Sequence, residues 1–145
     1  MANNIKAVDA YKKQLDELKN KELVVGLPMS KSDESVIEYG AMHEYGAPEK
    51  HIPRRSFLRV PTMSKEKEIV RFFDSRAKLL TDGMNANMLL GQTGVYVQGI
   101  VLRAFRENDW APNSQQTISK KGSSAPLIDT GHLMQSISWE VRNAT

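Results

Sequence analysis

The chain has 145 residues, 40% hydrophobic and 26% charged, and its 20 basic and 17 acidic side chains give a net charge of +3. That length predicts one domain, residues 1–145, with a true core, and so small and dispersed an excess of charge does not make a dedicated nucleic-acid face. Cysteine is absent, which excludes disulfides and thiolate metal sites; Met1 to Lys6 lacks an apolar signal core, and the apolar run Val95–Leu102, broken by Gln98 and Gly99, is far short of the ~20 residues of a membrane span.

Within an N-terminal segment 1–21, Ile5 to Lys19 reads as an amphipathic helix. Ile5, Val8, Tyr11 or Lys12, Leu15 and Leu18 recur at steps of three and four, and Asn3 or Asn4 is the expected N-cap. Residues 22–27 form a short β-rich strand ended by Pro28. Lys31 to Ser35 is a polar loop, with Ser35 as cap of a helix over Val36–Glu44. Gly46 stands where a left-handed residue closes that helix. Residues 47–61 carry Pro48, Pro53 and Pro61. Proline removes a donor and biases its predecessor toward extended geometry. The segment is therefore expected to be an extended arm anchored by Ile52, Phe57, Leu58 and Val60.

Thr62 or Ser64 opens the next helix, striped by Ile69, Phe72, Phe73, Ala77 and Leu80 and ended by Gly83. Asn85–Glu107 is a longer helix, apolar over a wide arc and the expected centre of the core. Its Gly91, Gly94 and Gly99 each cost about 1 kcal/mol against alanine, and they permit either close backbone packing or a kink near Gly91. Residues 111–126 form a polar loop with a short helical turn, where Lys120 and Lys121 complement the dipole of the helix end. A further turn runs through Met134, capped by Asp129 or Thr130. Ile137, Trp139 and Val141 then alternate with Ser138 and Glu140 as a half-buried strand. Together these elements predict an α+β domain: a small, mainly antiparallel sheet packed against a long central helix, with an extended Pro/Arg-containing arm.

Asp129-Thr-Gly131 matches the triplet of aspartic proteases, in which two carboxylates share a proton and activate water. A short chain with one copy would work as a dimer. Such a fold needs a flap and an apolar-apolar-Gly segment after the triplet, and the 14 residues following Gly131 hold neither. A helix cap accounts for Asp129 without catalysis. His43-Glu44 lacks the second histidine of a zinc-protease helix, and Gly91-Gln-Thr-Gly94 lacks the Lys-Ser/Thr of a P-loop. His51 and His132 are isolated. Asp129, His132 and Ser136 have the composition of a triad, but they crowd one short segment with nothing to form an oxyanion hole. No catalytic residue, metal site or cofactor is expected.

Two stretches in order resemble a known family. The first is Tyr39-Gly-Ala-Met-His-Glu-Tyr-Gly46 followed by Ile52-Pro-Arg-Arg-Ser-Phe-Leu-Arg59. The second is Trp110-Ala-Pro-Asn-Ser-Gln-Gln-Thr-Ile-Ser-Lys-Lys-Gly-Ser124 followed by Pro126-Leu-Ile-Asp-Thr-Gly-His-Leu-Met-Gln-Ser-Ile137. The pattern is similar to small morphogenesis proteins of tailed bacteriophages, known as tail-completion, neck or minor tail proteins. It covers roughly residues 24 to 141. Ser56 departs from it, standing where the family usually has proline, and this is expected to leave the arm less rigid. Many members also continue beyond the equivalent of the Trp139 strand, so a smaller sheet, or one that borrows an edge from a neighbour, is expected here.

The resemblance implies a non-enzymatic virion subunit in the tail or neck, made in the host cytoplasm. It implies a homo-oligomeric ring that completes or connects the tail, with other tail or neck proteins as partners and no membrane. Tyr45, Arg54, Arg55, Phe57, Leu58, Arg59, Lys120 and Lys121 are the expected subunit contacts, since arginine and large apolar side chains suit interfaces. The plainer reading of the arm is a loop packed on its own domain. Basic residues facing a channel would meet passing DNA through phosphates alone. The rivals from other classes are a small basic nucleic-acid-binding module and, more remotely, the dimeric aspartic protease.

Overall fold

The computed structural model describes residues 2–107 and 131–145. In chain order these form α1 (Ala2–Lys19), β1 (Lys21–Gly26), α2 (Glu34–Tyr45), α3 (Arg59–Ser64), α4 (Glu66–Ala77), α5 (Ala86–Glu107), α6 (His132–Ser136) and β2 (Ser138–Asn143), with 3-10 turns at Pro48–Lys50 and Lys78–Asp82. The fold is α+β: an antiparallel two-stranded sheet lies against the long helix α5.

Helix α5 organises the rest. Two amides of its first turn are met by side chains, Asn85 Oδ1 accepting from Met88 N at 2.8 Å and Gln14 Oε1 of α1 accepting from Ala86 N at 2.8 Å. Leu89, Leu90, Val97, Val101 and Phe105 are buried along it. Val101 and Phe105 join Val36 of α2, Phe57, Leu133 of α6 and Ile137 in one core cluster. The Phe57 and Phe105 rings meet at 5.3 Å between centroids. Burial of each such ring is worth about 1.5–3 kcal/mol. On another side, Phe72 of α4 stacks on Tyr96 at 4.2 Å.

The sheet pairs Lys21 with Asn143 through Gly26 with Ser138. Ala144 N donates to Asn20 O in the same register. Antiparallel bonds fall on alternate pairs, so even-numbered residues carry the ladder and odd-numbered ones turn their backbone groups outward. The side chain of Trp139 lies on α5: a Cβ built on Gly94 would stand 2.7–2.9 Å from three indole atoms, and one on Gly91 3.3 Å away. Helix α5 is continuous through both positions. Close approach of an aromatic strand residue, the first of the two expected readings, therefore accounts for these two glycines. Gly99 has nothing within 4 Å among the described residues.

Several boundaries differ from expectation. Helix α1 starts at Ala2, so Asn3 and Asn4 are helical and neither is its cap. The strand ends at Gly26, one residue early. Asp33, with Ser35 inside the helix, holds the N-cap position of α2. Gly46 has φ 80° and ψ 157°, a positive φ outside the left-handed helical region, because the chain turns straight back: its missing Cβ would meet Arg54 N at 3.2 Å. Residues 47–61 are not extended throughout. A 3-10 turn and an Ala47–Ile52 bridge precede residues 53–58, which belong to no helix or strand, and α3 begins at Arg59. Pro61 does not stop α3, since it lies in the first turn, where its missing N–H would have had no helical partner. The helix expected up to Gly83 is broken at Lys65 and finishes as a 3-10 turn, and Gly83 closes it with φ 96° and ψ 2°. Gly131, with φ 66°, holds the N-cap position of α6. Asp129, Lys120, Lys121, Trp110 and the 111–126 loop lie outside the described residues.

Candidate functional site

Glu44 sits in the last turn of α2, where its charge opposes the negative end of that helix dipole. It is nevertheless buried, and a buried carboxylate needs compensating donors. The arm supplies them. Ser56 Oγ donates to Glu44 Oε1 at 2.7 Å, Leu58 N to Oε2 at 3.0 Å and Arg59 N to Oε1 at 3.1 Å. Ser56 Oγ in turn accepts from Val60 N at 3.0 Å. The otherwise orphaned amides that open α3 are thus met by one carboxylate and one hydroxyl. A negative group at this position also favours the dipole of α3. Hydrogen bonds to a charged acceptor are worth about 1.5–3 kcal/mol each, which makes this clasp the strongest polar feature joining the arm to the body.

A second link runs beside it. Arg55 N donates to His43 O at 2.7 Å, and Arg55 Nη1 lies 3.4 Å from His43 Nδ1. Tyr39 packs edge-on against the His43 ring at 4.5 Å. Desolvation by burial draws the Arg55 guanidinium below its ordinary pKa, and the Coulombic effect of Tyr39 opposes that. Gly46 lets residues 53–56 run back along the end of α2, so the two stretches around Tyr39–Gly46 and Ile52–Arg59 form one unit.

The expected contact residues divide on this unit. Phe57 is fully buried in the core of its own domain and Arg55 is buried beside His43. For these two the plainer expectation holds, and their position as subunit contacts is corrected: the backbone of the arm is pinned by Glu44 and His43, which turns both side chains inward. Leu58 is partly buried against the same core and the end of β1. Tyr45, 73% exposed, Arg54 and Arg59 remain on the surface around the clasp. Lys120, Lys121 and the expected cap Asp129 lie outside the described residues.

Neither Glu44 nor Ser56 is among the contact residues that the sequence predicts. A signal for Glu44 was present, since an acidic residue in the last turn of a helix is unfavourable unless something outside the helix binds it. In place of the family's proline, the Ser56 hydroxyl links Glu44 to the start of α3. In this arrangement the Ser56 hydroxyl and the Glu44 carboxylate hold the start of α3, the hydroxyl donating to Glu44 and accepting from Val60 N. Among the described residues no cluster of His, Asp or Glu could hold a metal ion, and no helix is long and apolar enough to cross a membrane. Comparison of the chain with protein-family models, curated proteins and solved structures returns no match.

Proposed function

We propose that this protein is a structural virion subunit of a tailed bacteriophage, forming a ring that completes or connects the tail at the head–tail region. The observation that carries the proposal is the Glu44 clasp. The helix end and the Ile-Pro-Arg-Arg-Ser-Phe-Leu-Arg arm, which resemble the tail-completion pattern separately, are joined by Glu44 into one rigid unit. That unit displays Tyr45, Arg54 and Arg59 outward. A virion joint needs such a preorganised surface, since order present before assembly does not have to be established during it. Helix α1 adds a second surface: it has no buried residue, and Ile5 and Val8 are 60% and 51% exposed.

Light scattering of the purified chain, with electron microscopy of any large species, tests the proposal together with binding to phage tails or heads that lack it. Ring-sized oligomers, free or formed on the particle, are expected. A chain that stays monomeric and binds neither particles nor tails overturns it. A steep fall of DNA affinity with salt would instead identify a nucleic-acid-binding module.

A further inference from the structure

The outer edge of β2 and the neighbouring face of α5 together form a self-complementary surface, and we propose that it pairs with the same surface of a second copy across a two-fold axis. The inference stands on this edge and helix face alone and does not depend on the virion assignment.

The edge is the first component. Trp139, Val141 and Asn143 direct their backbone N–H and C=O groups away from β1, because the ladder uses the even-numbered residues. Among the described residues one side chain meets these outward groups: Lys31, whose Nζ donates to Trp139 O at 2.6 Å and lies 5.5 Å from the centre of the indole. A lysine over an edge is a common guard against strand pairing. Here it is an exposed, flexible side chain covering one carbonyl of three.

The second component is the floor beside that edge. Met88, Gly91, Gln92 and Val95 of α5, with the rim of Trp139, line an open groove of about 470 Å³. Met88 and Val95 are 51% and 58% exposed. They lie seven residues apart on one helical face, with Gly91 between them, so the face is apolar and shallow.

Charge and spacing select the occupant. An antiparallel β2–β2′ pair centred on Val141 places Val141 opposite its own copy and Trp139 opposite Asn143 of the other strand. Glu140 then faces Arg142 across the pair twice. Glu140 already lies 3.8 Å from Arg142 of its own strand, and Arg142 bonds Glu22 across the existing ladder, so this face of the sheet is a built acid–base lattice that the second copy continues. Strands stand about 4.8 Å apart. Helix α5 lies over both β1 and β2, so the two copies of α5 would be separated by about two strand spacings, close to the 8–10 Å of packed helices. The Met88/Val95 faces would then meet above a four-stranded sheet.

The absence of cysteine makes the test clean. Sedimentation of the 145-residue chain over a concentration series is expected to show a monomer–dimer equilibrium. Val95→Lys, at an exposed position, and Val141→Pro, which removes one outward N–H and no ladder bond, are each expected to weaken it at least about tenfold while circular dichroism is unchanged. Lys31→Ala is expected to tighten it. With Val141→Cys, oxidation or a short bis-maleimide is expected to link two chains. Hydrogen exchange at Trp139, Val141 and Asn143 is expected to slow as concentration rises. A wild-type chain that is monomeric at all concentrations overturns the proposal. So does a dimer, or a larger ring, that Val95→Lys and Val141→Pro leave intact and Val141→Cys does not link. Ring formation sensitive to Tyr45 or Arg54 but indifferent to these variants would support the assembly reading and refute the β2 pair.

Discussion

Replacing Gly94 by alanine sets two known effects against each other on one helix. Alanine gains about 1 kcal/mol of helix propensity over glycine. At Gly94, however, the new methyl would lie 2.7, 2.8 and 2.9 Å from Cδ2, Cγ and Cε3 of Trp139. Three ring atoms at that distance require the whole indole to move, and it is held by the β1–β2 ladder and by Lys31 above its face. Overpacking of this kind costs about 1–3 kcal/mol, so the net effect is a loss of up to about 2 kcal/mol. Gly99→Ala is the internal control: with nothing nearby, it should show the propensity gain alone. Gly91→Ala meets only the far edge of the indole at 3.3 Å and should fall between the two. Urea or thermal unfolding measures the series, and at this chain length each kcal/mol moves the Tm by roughly 3–4 °C. A Gly94→Ala protein as stable as Gly99→Ala would refute the close packing of Trp139. If the packing is right, Trp139→Ala combined with Gly94→Ala should be less destabilising than the sum of the singles, since the two sites touch.

Glu44→Gln keeps the volume of the clasp but turns a double acceptor into half a donor. It should cost about 2 kcal/mol in denaturant unfolding, and Ser56→Ala about 1 kcal/mol by the same measurement; no loss from Glu44→Gln would mean the arm is held by packing alone. Phe57→Ala should cost about 3–5 kcal/mol of stability, as a core position would, and a mild effect on unfolding with a large one on assembly would return Phe57 to an interface. Tyr45→Ala and Arg54→Ala should change stability by no more than about 0.5 kcal/mol while reducing particle binding or oligomer formation in light scattering; equal assembly by both variants removes them from the contact surface.

The helices and strands were legible in sequence because their signals are local. The period of α5, the alternation of Ile137, Trp139 and Val141, and the stop at Gly83 each depend on a few neighbouring residues. The course of the arm is not legible in this way, for the opposite reason. Its prolines argued for extension, while the donors that start α3 are met by Glu44, twelve or more positions earlier in the chain. No periodicity records such a bond. Equally, Phe57 and Arg55 could be assigned inward or outward only once the backbone of residues 53–58 was fixed against α2.

The sequence by itself determined the α+β class, the central helix and the absence of thiol chemistry, because composition and periodicity respond to burial on one face of one element. Only the tertiary structure decided why α5 carries Gly91 and Gly94, where the arm turns into a helix, and which strand edge, among the described residues, turns its backbone groups away from the ladder beside an apolar groove. Those features arise from atoms brought together from well-separated parts of the chain: Trp139 against Gly94, and Lys31 against the carbonyl of Trp139. Their partners are distant in sequence, so the physical cause exists only in the folded molecule.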